Sequence, residues 1–293
     1  MEKESDTKKK SCRGAIKAVQ DEIIRRALER IRLKLLVTSG KGGVGKSTVA
    51  VNLAMAFYKR GFSVGLLDVD LHGPSIPGLL GIKDRIAEIH KDQTIEPIMY
   101  REGFEVVSLE SLLRDKDASV IWRGPLKANM IRQFISDVPW GNLDALVMDA
   151  PPGTGDEPLT VAQTVPDAAA VIVTTPQEIS LADVRKSVRF CRQLNMQVAG
   201  IVENMSGLNC PHCGGVIDLF KSGGGERLAA MAGVPFLGRI PLDPELVLSG
   251  DEGVPLVERN PDSPTVQAYE VMLSRILEFA EEGRKKPGPD PGK

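Results

Sequence analysis

The sequence predicts an α/β fold, doubly wound, with a mostly parallel sheet and helices on both faces. Three observations predict it. Strand-like apolar runs alternate with helix-like runs from Leu33 onward, the pattern of parallel strands joined by crossover helices. A glycine-rich turn, Ser39-Gly40-Lys41-Gly42-Gly43-Val44-Gly45-Lys46-Ser47-Thr48, stands between the first apolar run and a helix-prone run. A later apolar run, Ala145-Leu146-Val147-Met148, ends in Asp149.

Taken in order, residues 1–14 carry Lys8-Lys9-Lys10 before Ser11-Cys12 and read as a charged, disordered lead. Residues 15–32 hold no proline and space Ile16, Val19, Ile23, Ala27 and Ile31 at helical intervals, which predicts an amphipathic N-terminal helix with its arginines on the solvated face. Strands are expected at 33–39, 63–69, 144–150, 168–175, 197–203 and 234–240. Helices are expected at 46–60, 125–137, 157–164, 180–194, 224–232 and 263–281. Ile98 to Tyr100 and Glu105 to Leu109 suit a short edge hairpin. No linker interrupts the alternation, so 15–282 reads as one phosphate-loop domain with a cysteine loop at 207–220. Residues 283–293, with Pro287, Pro289 and Pro291, read as a flexible tail.

Composition narrows the class of protein. The chain has 293 residues, 42% hydrophobic and 26% charged, which suits a globular domain with a sizeable core. A net charge of −2 gives no global electrostatic attraction for nucleic acid or anionic lipid, so neither is expected as a partner. No apolar stretch reaches the length of a bilayer span, and Met1-Glu2-Lys3-Glu4 opens no secretory signal, which leaves the cytoplasm as the expected location. Four cysteines, Cys12, Cys191, Cys210 and Cys213, are too few for a disulfide framework.

The glycine-rich turn has the residues that hold a triphosphate. Glycines 40, 42, 43 and 45 let several N–H groups converge on one anion, reinforced by the following helix N-terminus. Val44 and Thr48 complete the cradle, Lys46 is expected to reach the β- and γ-phosphate oxygens of ATP, and the Ser47 hydroxyl to ligate Mg²⁺. The second strand ends Asp68-Val69-Asp70, and its C-terminal end faces the same crevice as the loop. Asp70 is the candidate for orienting the attacking water, against the alternative of a carboxylate in a surface turn; Asp68 reads as structural. Asp149 fits a Walker B carboxylate near Mg²⁺ through a coordinated water. Pro151-Pro152-Gly153-Thr154-Gly155 then forms a turn whose glycine N–H groups suit γ-phosphate sensing, with Asp156 beyond it as a second candidate for the water relay. Asn204, closing the strand at 197–203, has the amide donor and acceptor that an adenine edge requires, or else caps the strand end.

Cys210-Pro211-His212-Cys213 puts two thiolates within reach of one metal centre. A closed metal site takes four ligands, and this segment offers two, with His212 either a third or turned outward. Bringing two chains together supplies four thiolates, which suit zinc or an iron–sulfur cluster.

These motifs carry a family resemblance. Lys41, a second lysine on the loop, resembles the deviant Walker A loop of the MinD/ParA/nitrogenase-iron-protein class, in which it reaches across a dimer to the partner's nucleotide; the alternative is that it solvates the loop. Together with Asp-Val-Asp-Leu-His-Gly-Pro-Ser at 68–75, Trp122-Arg123-Gly124-Pro125, Asp149 to Asp156, Thr174 to Glu178, and Glu203 to Gly207 with the cysteine pair, the chain resembles the Mrp/ApbC/Nbp-type ATPases over about residues 33–280. The resemblance implies an ATP-hydrolysing homodimer that holds a 4Fe-4S cluster on Cys210 and Cys213 of both subunits and passes it to apo iron–sulfur proteins. In related folds the purine lies against an Asn at the position of Asn204 and against the stretch Pro241-Leu242-Asp243. Some relatives carry a four-cysteine N-terminal motif where this chain has Cys12 alone, so a second cluster is not implied. The lead before the loop leaves no room for the small extra domain of some bacterial members. Two competing readings are a MinD/ParA-like positioning ATPase and a dimeric ATPase with a structural zinc clasp. Against the first, the final helix carries Glu270, Glu278, Glu281 and Glu282 against Arg275, a poor membrane-docking face.

Overall fold

The structure is a computed structural model that describes residues 19, 21–70, 73–92, 94–108, 110–112, 124–210, 213, 215–220 and 222–285. The predicted lead at 1–14 with Cys12, together with His72, Trp122, Arg123, His212 and the tail from residue 286, lies outside the described residues.

Apolar runs form the strands β1 (Ile31–Ser39), β2 (Val64–Asp68), β3 (Ile98–Arg101), β4 (Phe104–Ser108), β5 (Leu143–Asp149), β6 (Ala169–Thr174) and β7 (Gln197–Glu203). After the small pair β8 (Leu208–Asn209) and β9 (Val216–Ile217), β10 (Phe236–Arg239) completes the main sheet. Its order is β10-β7-β6-β1-β5-β2-β4-β3, parallel throughout except for β3, which runs antiparallel to β4 at one edge. Every residue of β2 and of β6 is buried. Successive side chains point to opposite faces, so these strands are covered on both sides, which accounts for their unbroken apolar runs.

The helices are α1 over 21–29, α2 (Lys46–Lys59), α3 (Ile76–Leu79), α4 (Gly124–Ser136), α5 (Asp156–Thr164), α6 (Glu178–Gln193), α7 (Gly224–Ala232), α8 (Pro244–Glu252), α9 (Leu256–Arg259) and α10 (Pro264–Lys285). The helix α2 is buried from Val49 to Phe57, between the sheet and α10. A helix apolar nearly all round needs cover on more than one side. The strong core therefore sits behind the phosphate loop and holds its helix rigidly.

Several expected boundaries move. The first strand starts at Ile31 rather than 33 and the N-terminal helix ends before 32, because Ile31 is 2% exposed and pairs in register with Leu143. The last helix runs to Lys285, past the expected start of the tail at 283, since the first proline comes only at Pro287. The short helices α3, α8 and α9 were not anticipated. Of these α8 carries a readable signal: Asp243 accepts from the Glu245 N–H, Pro244 opens the helix, and Gly253 closes it with φ 68°.

No helix among the described residues is long and apolar enough to cross a membrane.

Candidate functional site

The phosphate loop links the end of β1 to the start of α2. Gly43 and Gly45 have φ of 76° and 77°, the left-handed conformation that glycine takes at no steric cost. A side chain at 45 would also overlap the Asn204 amide, and one at 40 would run into the backbone of Asp183 on α6. The resulting curl opens a cavity of about 300 Å³ lined by Gly42, Gly43, Gly45, Lys46, Ser47 and Thr48, with Asp70, Ser75 and Pro152 on its far side. Lys41 is half-exposed and is not among the residues lining this cavity.

Parallel register brings the carboxylates to the same sheet end. Asp149 is the Cα partner of both Val37 and Asp68, so the tips of β1, β5 and β2 stand side by side. Lys46 Nζ donates to Asp149 Oδ1 at 2.6 Å, with both side chains buried. The other oxygen, Asp149 Oδ2, is buried and has no hydrogen-bond partner. Burial pushes the Asp149 carboxyl above the usual carboxylate range, while the Lys46 ammonium and the Ser47 hydroxyl pull it back. An orphaned carboxylate oxygen beside a serine hydroxyl is a donor set that fits a hydrated Mg²⁺.

Asp68 is 1% exposed, and its oxygens accept from the N–H groups of Asp70 at 3.1 Å and Ser75 at 3.2 Å. It thereby anchors both ends of the loop that carries Asp70. Burial, with the Asp149 charge adding to it, pushes the Asp68 carboxyl up to about 8. Asp70 is half-exposed on the wall of the phosphate cavity. Asp156 opens α5 as an exposed residue and is not among the cavity's lining residues. The turn after β5 is tied back: Gly153 N–H donates to Ser39 O at 2.7 Å, so in this state it is directed at the strand rather than at the phosphate site.

A second cavity, of about 250 Å³, shares Gly45, Thr48 and Leu79 with the first, so the two adjoin. Asn204, Pro241 and Asp243 line it, with Leu246 and Val247 of α8 opposite. The α8 wall escaped the sequence reading because the helix itself did. One N–H of the Asn204 amide serves the fold: Nδ2 donates to Val44 O at 2.8 Å, and the side chain is 3% exposed. Asp243 is likewise engaged, one oxygen capping α8 and the other accepting from Thr265 Oγ1 at 2.6 Å. Shape and position therefore suit a nucleoside, while Asn204 and Asp243 each also serve the fold.

The cysteines lie on a small antiparallel hairpin, β8 with β9, where Cys210 N–H donates to Gly215 O at 2.9 Å. Cys210 is half-buried and Cys213 exposed. Val216, Ile217, Leu219 and Phe220 beside them are exposed apolar side chains. No group of three or more potential metal-ligating side chains gathers among the described residues. Leu242 N–H donates to Gly207 O at 2.7 Å, which attaches the base of the hairpin to the wall of the second cavity. Glu203, given no role from sequence, grips the hairpin from below. Its sequence signal is its place in the Glu203 to Gly207 stretch of the family resemblance, which assigns it no role. Cys191 is buried on α6, its thiol pushed up to about 11 by burial.

Comparison with known proteins fits this arrangement. A family model described as "ParA: NUBPL iron-transfer P-loop NTPase" matches residues 30–277. An iron-sulfur cluster carrier protein of Methanocaldococcus jannaschii is 47% identical over 282 residues, covering 96% of this chain and 94% of that protein. The human cytosolic Fe-S cluster assembly factor NUBP2 is 46% identical over 257 residues, covering 86% of this chain and 94% of that protein. Among solved structures, a nucleotide-binding protein from Archaeoglobus fulgidus in complex with ADP has a TM-score of 0.73 at 42% identity, over 83% of this chain and 94% of that one. The Pyrococcus furiosus cell division ATPase MinD shares the fold, with a TM-score of 0.64 at 22% identity, over 85% of this chain and 99% of its own. The chain belongs to the NUBPL iron-transfer family of ParA-type P-loop NTPases.

Proposed function

We propose that the chain is an ATP-hydrolysing iron–sulfur carrier that holds a 4Fe-4S cluster between two copies of itself and delivers it to apo-proteins in the cytoplasm. One observation carries this reading. The cysteine pair stands at the surface with an exposed apolar fringe, yet its hairpin is bonded to the wall of the nucleotide cavity through Leu242 and Gly207. Two thiolates from one chain are half of a cluster's ligands, and an apolar fringe suits contact with a second copy. The relatives named as cluster carriers and the relative bound to ADP support both halves of the reading.

In this account the loop amides and Lys46 bind the β- and γ-phosphates, and Lys46 exchanges Asp149 for them. Mg²⁺ held at Ser47 and Asp149 would neutralise phosphate charge. Asp70 orients the attacking water, Asp156 is a second candidate for that relay, and Lys41 reaches the nucleotide of the partner copy. Asn204, Pro241 and Asp243 border the base. Anaerobic purification followed by visible spectroscopy and metal analysis tests the cargo. Iron and sulfide in equal amounts support it, and bound zinc without iron would replace it with a structural clasp.

A further inference from the structure

We propose that Glu203 is the positioning residue that ties the cysteine hairpin to the nucleotide site. The inference rests on the reading of Cys210 and Cys213 as the cargo site of a nucleotide-driven carrier. Glu203 closes β7 and is 0% exposed. Its Oε1 accepts from Ser206 Oγ at 2.6 Å and from Gly223 N–H at 2.9 Å, and its Oε2 accepts from Gly225 N–H. Ser206 precedes the hairpin, and Gly223 and Gly225 follow it at the start of α7. One buried carboxylate thus fastens both ends of the segment that carries the cysteines.

The charge suits the work. Arg239 Nε lies 3.6 Å from Oε1, and the first turn of α7 presents its N–H groups and the positive end of its dipole. Bonds to an ionised acceptor are roughly twice as strong as neutral ones, and burial strengthens them further. The hairpin needs such an anchor, because its strands are two residues each and its apolar side chains face solvent. A short isolated hairpin has little stability of its own.

The neighbouring residue makes the link to nucleotide. Asn204 Nδ2 donates to Val44 O inside the phosphate loop, and its backbone N–H donates to Thr174 O at 2.7 Å. Consecutive residues therefore grip the loop and the hairpin, and a displacement of the Val44 carbonyl reaches Glu203 through one rigid strand end. Coupling between sites needs a shared physical element of this kind.

The test reads the hairpin through its thiols and needs no cluster. Alkylation rates of Cys210 and Cys213 are followed by mass spectrometry in metal-free protein, with and without Mg·ADP. In the parent, nucleotide should change these rates by roughly five-fold or more. Glu203→Gln, which turns one of the two acceptor oxygens into a donor set against Gly223 or Gly225 N–H, should keep ADP affinity and lose the nucleotide dependence. Should that variant fail to fold, Ser206→Ala removes a single arm at a half-exposed position and should reduce the dependence. A parent whose rates ignore ADP, a folded Glu203→Gln that keeps the full response, or a Ser206→Ala equal to the parent would overturn the proposal. Failure to load iron would overturn the carrier reading instead, since the thiol rates are measured without it.

Discussion

Lys46 Nζ sits 2.6 Å from Asp149 Oδ1, so the cation of the phosphate loop is paired with the carboxylate at the tip of β5. The pair is buried, with exposures of 7% and 0%. Removing Lys46 leaves the buried Asp149 carboxyl without its cation partner. Lys46→Ala is therefore expected to lose ADP binding and also about 3–5 kcal/mol of stability. Calorimetric titration and a urea melt check the two losses separately. A variant that unfolds at the parental midpoint would show that the pair carries no stability.

Lys41 should behave differently, because it is half-exposed and does not line the phosphate cavity. Lys41→Ala is expected to bind ADP as the parent does while losing turnover and the ATP-dependent tightening of the dimer. Equal loss of nucleotide affinity in the two lysine variants would contradict this division.

Asp70 lines the phosphate cavity on a loop anchored by Asp68, and under the proposed function it positions the attacking water. Asp70→Asn should retain ADP affinity and hydrolyse ATP about 10²-fold more slowly or worse. Steady-state phosphate release measures it. Turnover at the parental rate would remove Asp70 from the mechanism.

Asp68 predicts a pH dependence of stability. Its carboxyl is pushed up to about 8 in the folded chain by burial and by the Asp149 charge. The unfolded value is about 4, so between roughly pH 4 and 8 the folded state holds a proton that the unfolded state has released. Stability from this group is complete below the unfolded value and is lost as pH rises through the folded one. Nucleotide-free parent should thus lose melting temperature from about pH 5 to pH 8 more steeply than Asp68→Asn. Parallel profiles would show that Asp68 is ionised throughout.

The phosphate loop and the strand tips were legible in the sequence because glycines, lysine and a terminal aspartate each have one local geometry that explains them. Asp149 fell where its apolar run predicts, and the sheet register then brought it against Lys46. What sequence could not give was the side chains' second partners. Asn204 has the groups of a base contact or a cap, and one of its N–H donors is turned to Val44 O, a pairing across 160 positions that no local pattern encodes. The wall from α8 is not legible although Asp243-Pro244 announces a helix start, since its apolar residues Val247 and Leu248 are exposed and mark no core periodicity. Glu203 reads as an ordinary strand-end residue because its partners, 206 before the hairpin and 223–225 after it, are brought together only by the fold.

The central claim is that two chains share one cluster through Cys210 and Cys213. Native mass spectrometry after anaerobic reconstitution with iron and sulfide measures it most directly. The account predicts a species of two chains with one 4Fe-4S cluster, absent in Cys210→Ser and in Cys213→Ser, which keep ADP binding, and present in Cys191→Ser. A cluster carried by a single chain, or one that survives loss of either cysteine, would contradict it.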